Sequence, residues 1–116
     1  MLPLSFFVIW LKMSYHVTIG IKYDKIAPVS DTVEQLTGTT REGHESLYLG
    51  QYDLFLLPEK MMIKYNFVWG EDEWDYSEYK AFPVLLVVES TERPDYIVSL
   101  AEQTGFENKV IERKPW

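Results

Sequence analysis

The chain has no cysteine among its 116 residues. That excludes disulfides, thiolate zinc sites, iron–sulfur ligation and cysteine nucleophiles, and it leans toward a cytoplasmic protein. Histidine is nearly as scarce, with only His16 and His44. A zinc or other transition-metal centre has too few ligands here, and no metal or cofactor is expected. Clustered Lys and Arg are missing too, and the formal net charge is −7 with a pI of about 4.7. Direct binding to a phosphate backbone needs a basic footprint, so neither nucleic-acid binding nor an anionic membrane surface is expected.

Motifs that carry chemistry are equally sparse. Gly38 and Gly43 have the spacing that opens a P-loop, but His44 and Glu45 follow where Lys and Ser/Thr are required. No G-x-G-x-x-G and no G-x-S-x-G occurs. His16 falls on the polar side of a strand, and His44 lies in a loop between Glu42 and Glu45. No residue qualifies as a catalyst, and the chain does not read as an enzyme.

A long hydrophobic run is also lacking. Leu2 to Leu11 is apolar but spans about half of the roughly 20 residues a membrane helix needs. Lys12 follows the run instead of preceding it, and no A-x-A pattern comes after, so a signal peptide is not read. Two readings lead, an over-long start before Met13 or an extra strand or helix packed on the domain, with a membrane anchor a distant third. The organisation is therefore an apolar extension over 1–12 and a single domain over 13–116.

What the chain does have is periodicity. Tyr15, Val17, Ile19, Ile21 and Tyr23 alternate with polar residues, which predicts a half-buried strand. Ser30 or Asp31 is expected to cap a short helix ending at Gly38. Gly38 to Ser46 reads as loop, and Leu47 to Leu57 as a strand with Gly50 as a bulge. Met61, Ile63, Tyr65, Phe67 and Trp69 mark the next strand, antiparallel to the last. Val84 to Val88 is apolar throughout and belongs in the sheet centre. A helix opens around Ser90, Thr91 and Pro94 and stops at Gly105, and Lys109 to Arg113 closes the chain as a strand. The order β-α-β-β-β-α-β predicts an α+β domain: a mostly antiparallel sheet with two helices packed on one face.

Aromatic residues make up 16% of the chain, more than one small core hides. They concentrate with acid in FVWGEDEWDYSEYKAF, Phe67 to Phe82, which holds five acids against the single Lys80. Tyr and Trp supply rigid contact area, and carboxylates supply long-range attraction for a basic partner. Glu71, Asp72, Glu73, Trp74, Asp75, Tyr76, Glu78 and Tyr79 are the candidate partner-binding residues, with Trp74, Tyr76 and Tyr79 as anchors. The competing account is structural: acids solvating an aromatic-rich sheet edge.

In make-up, though in no family motif, the chain is similar to bacterial toxin-immunity proteins. That resemblance implies an inhibitor of a basic protein such as a toxin nuclease, whose active site is positive because it holds phosphate. The alternatives are a small-ligand domain or enzyme with a pocket between sheet and helices, and a homodimer or larger homo-oligomer that buries the exposed rings.

Overall fold

The computed structural model describes residues 13–46, 50–67 and 73–115. The apolar extension over 1–12, and Glu71 and Asp72, lie outside the described residues. Six strands and two helices follow the expected order: β1 Tyr15–Ile21, α1 Ile26–Thr37, β2 Glu42–Ser46, β3 Gly50–Leu56, β4 Lys60–Tyr65, β5 Val84–Thr91, α2 Pro94–Gln103 and β6 Asn108–Pro115. β2 is the addition, formed where the composition reads as loop. All ladders are antiparallel, in the spatial order β2-β3-β4-β5-β1-β6. The apolar β5 sits inside the sheet, as its unbroken run requires.

The period-two pattern decides which face is covered. Val17, Ile19 and Ile21 of β1, Phe55 of β3, Met61 and Ile63 of β4, and Val84, Leu86 and Val88 of β5 are fully buried. Against them pack Ile26, Val29 and Val33 of α1 and Ile97, Leu100 and Ala101 of α2. Both helices therefore lie on one face. The other face carries His16, Thr18, Tyr52, Leu54, Met62, Lys64, Leu85, Val87 and Glu89.

Three local expectations differ in detail. Helix α1 starts at Ile26, so Pro28 falls in its first turn, where a missing N–H is no loss. Ser30 is then no cap; it is buried and donates to the Asp53 carboxylate at 2.6 Å. Helix α2 starts at Pro94 because β5 runs on to Thr91. Gly50 is no bulge: it opens β3 directly opposite Ser46, with φ 69°, a left-handed backbone that favours glycine at the end of a hairpin loop.

One ion pair ties the sheet end to α2. Glu59, in the β3–β4 turn, is 8% exposed. Arg93 grips its carboxylate with two N–H groups, both at 2.9 Å, and the Thr91 hydroxyl donates to it at 2.6 Å. Arg93 in turn lies 4.0 Å over the Tyr96 ring. The Arg93 hydrogen bonds, with help from Thr91 and against the cost of burial, hold the Glu59 carboxyl at about 2. A depressed acid stabilises the fold above its unfolded-state value and loses that contribution as pH falls through the folded one. Stability should therefore drop by on the order of 2–3 kcal/mol from this group as pH falls from about 4.5 to about 2. Urea midpoints measured across that range should fall less steeply in Glu59→Gln; an unchanged slope would refute the assignment.

Candidate functional site

The segment 73–82 is a strap laid across the open face of the sheet, and a buried amide holds it there. β4 ends at Tyr65, short of the expected Phe67, and Trp69 lies outside the described residues. Asn66 leaves the ladder and is fully buried. Its Nδ2 donates to the carbonyls of Tyr76, Tyr79 and Phe82 at 3.2–3.3 Å, and its Oδ1 accepts from the Tyr76 N–H at 2.9 Å. The Asn66 backbone adds two bonds, its N–H to the Pro83 carbonyl at 2.8 Å and its carbonyl from the Asp75 N–H at 2.9 Å. A chain without regular structure needs partners for its polar backbone, and one side chain supplies several.

Side chains of the strap then divide by direction. Asp75 reaches down to Lys64, whose side chain is 8% exposed, and the two form an ion pair. Tyr76 turns onto the sheet beside Thr18 and Glu112. Burial pushes its phenol above the ordinary value, Thr18 pulls the other way and the Glu112 charge adds to the rise. His16 joins this group, with Nε2 2.8 Å from the Thr18 hydroxyl and 3.4 Å from the Glu112 carboxylate. Phe82 packs so tightly on β1 that a Cβ at Gly20 would lie 2.8 Å from its Cβ. The close approach explains the lone glycine in that strand.

The remaining rings lie at the edges of the strap. Trp74 bridges to Phe67, with ring centroids 5.0 Å apart, and Phe67 meets Tyr65 at 5.3 Å. Lys80 stands 5.5 Å over Trp74, and Lys109 stands 5.5 Å over Tyr79. Glu73 and Glu78 are exposed and have no ion-pair partner among the described residues. Of the candidate residues, the structure thus gathers Trp74, Asp75, Tyr76 and Tyr79 into fold contacts and leaves Glu73 and Glu78 facing solvent.

Two hollows flank the strap. A groove of about 460 Å³ on the open face is lined by His16, Thr18, Met62, Lys64, Asp75, Tyr76, Leu85, Val87 and Glu89, with Leu85 paired to Lys64 and Val87 to both Thr18 and Met62. A hollow of about 570 Å³ lies between the start of α1 and the rings of Tyr65, Phe67 and Trp74, with Asp24, Lys25 and Gln51 at its rim. His44, the other histidine, stacks on Tyr52 at 5.2 Å and faces Glu42 at 3.5 Å.

Sequence reasoning passed over Lys64, Asn66, Thr18 and Glu112. A single Asn closing an alternating strand is a usable sign of a chain leaving its ladder. Nothing in the local sequence marks the other three, which meet the strap only through strand pairing.

The chain matches no protein-family model, and it matches none of the curated proteins.

Replacing Asn66 tests the strap. Asn66→Ala removes four side-chain bonds and should cost about 2–4 kcal/mol in urea unfolding. Limited proteolysis should then cut within 73–82. Asn66→Asp keeps the shape but cannot donate to three carbonyls, so it should be as damaging; wild-type stability in that variant would contradict the role given to the amide.

Proposed function

We propose that the chain is a protein-binding module that recognises a basic partner, in the manner of an inhibitor that masks a positively charged surface. The observation that supports this most is how the charges of the strap are spent. Lys64, Lys80 and Lys109 are engaged by Asp75, Trp74 and Tyr79 within the fold. Glu73 and Glu78 are exposed and carry charge with no ion-pair partner among the described residues. Such charge steers encounter with an oppositely charged protein, and the neighbouring rings supply contact area once it arrives. A nuclease active site, basic because it holds phosphate, is one surface of the right chemistry.

The net charge of −7 acts in the same direction. Both described helices pack on the opposite face of the sheet, so neither stands between a partner and the strap.

Affinity capture with the intact chain, followed by stopped-flow kinetics on the purified captured protein, tests the reading. The expected partner is basic and is released by moderate salt. Glu73→Gln with Glu78→Gln should slow association about three- to tenfold and flatten its salt dependence, with little change in dissociation. An acidic partner, or unchanged association rates, would overturn the electrostatic reading.

A small-ligand site is the second reading, favoured by the groove that His16, Lys64 and Tyr76 help to line, with the Glu112 carboxylate 3.4 Å from His16. That groove lies on the face away from the helices. Its test is a His16→Ala variant, which should lose the thermal shift produced by any compound that stabilises the parent chain.

A further inference from the structure

The two outermost described strands are defended differently, β6 by cations, proline and an irregular register and β2 by carboxylates alone. β6 carries Lys109, Arg113 and Lys114, ends at Pro115 and pairs with β1 through a register shift. Charged side chains, proline and irregular pairing are the usual means of keeping an edge from recruiting another strand. β2, with the sequence EGHES, has no lysine, arginine or proline and pairs with β3 in unbroken register from Glu42 opposite Leu54 to Ser46 opposite Gly50. Glu42, Gly43, His44 and Glu45 are all exposed. No described strand lies on its outer side, so alternate N–H and C=O groups there point away from the sheet.

Gly43 sharpens the contrast. A Cβ at that position would meet only Asp53 Oδ1, at 3.7 Å, an ordinary contact. Internal packing therefore does not require glycine here. Glycine in an edge strand does leave room for a second backbone to approach.

We propose that the basic partner lays an extended segment along the outer edge of β2 and adds a strand to the six-stranded sheet. This rests on the reading of the chain as a module for a basic protein. Backbone pairing would supply affinity, and side chains at the edge would supply selectivity. The charge chooses the occupant. Glu42 lies near His44, at 3.5 Å, and Glu45 has no ion-pair partner among the described residues. A second copy pairing antiparallel through β2, centred on His44, would set Glu42 across from Ser46 and Glu45 across from Gly43, so it brings no cation to either carboxylate. A basic strand meets the same carboxylates favourably.

The register adds a specification. Glu42 and Glu45 are three positions apart, so they project to opposite faces of the sheet. The incoming segment should carry Lys or Arg at two positions three apart, one on each face. Gln51, paired with Glu45, also lines the ring hollow that contains Trp74. A strand on β2 therefore runs close to that hollow, and one partner can engage both.

The test uses the full chain and a blocked seven-residue peptide of threonine and valine with lysine at its second and fifth positions. Amide NMR shifts and hydrogen exchange are read at Gly43, His44 and Glu45. The peptide should shift these amides saturably and slow their exchange. N-methylation of alternate peptide amides, which blocks the ladder, should weaken binding at least about tenfold, and glutamate in place of lysine should abolish it. Glu42→Gln with Glu45→Gln should weaken the lysine peptide about three- to tenfold.

Equal binding by the N-methylated peptide would show attraction without strand addition and overturn the proposal. So would shifts confined to other strands, or β2 protection that rises with chain concentration alone, which would make a second copy the occupant. The two readings fail separately. Partner kinetics that depend on Glu73 and Glu78 while β2 amides stay unprotected would remove only the strand addition. Peptide protection of β2 with partner kinetics indifferent to Glu73 and Glu78 would remove only the steering role of the strap.

Discussion

The Asn66 amide is the constraint on which the acidic, aromatic segment depends. Residues 73–82 contain one short 3-10 turn, Ser77–Tyr79, and otherwise lack regular structure. Their carbonyls would be left unpaired against the sheet without a donor beneath them. Asn66 is buried at the point where β4 ends, and its side chain answers the backbone of Tyr76, Tyr79 and Phe82 together. Once that backbone is fixed, the directions of Trp74, Asp75, Tyr76 and Phe82 follow. The ion pair with Lys64 and the tight seat of Phe82 on Gly20 then reinforce one arrangement.

Fixing the strap also sorts its charges. The fold satisfies Lys64, Arg93 and Arg41 with carboxylates and sets Lys80 and Lys109 over rings. Acid exceeds base in the chain, so some carboxylates must be left over; among the described residues Asp24, Glu45, Glu73, Glu78, Glu89 and Glu102 have no ion-pair partner, and two of these, Glu73 and Glu78, belong to the strap. Exposed pairs contribute little to stability in water. The position of the surplus therefore bears on encounter with other molecules more than on folding.

Much of the fold was legible because hydrophobic periodicity reports burial directly. Val17, Ile19 and Ile21 alternate and face the helices, and Val84 to Val88 runs apolar and sits between two strands. Ile97, Leu100 and Ala101 recur at helical spacing and are buried. Boundaries were less legible. Ser30 and Thr91 look like helix caps, but each serves a buried carboxylate from another element, Asp53 and Glu59. β2 was hidden because EGHES has no apolar pattern; it is a strand through the backbone of β3 and not through burial.

By itself the sequence determined the class of fold, the element order and the buried face, since these depend on spacings within each segment. It also determined that acid and aromatic side chains would crowd into one segment. Which of them would be used up by the fold was decided only by tertiary structure. Asp75 and Glu73 are chemically alike and two residues apart, yet one meets Lys64 from another element and the other meets water. That β2 is an outermost strand among the described residues is likewise a property of sheet order. Hydrogen-bond partners and ion pairs arise between segments distant along the chain, and no local pattern encodes them.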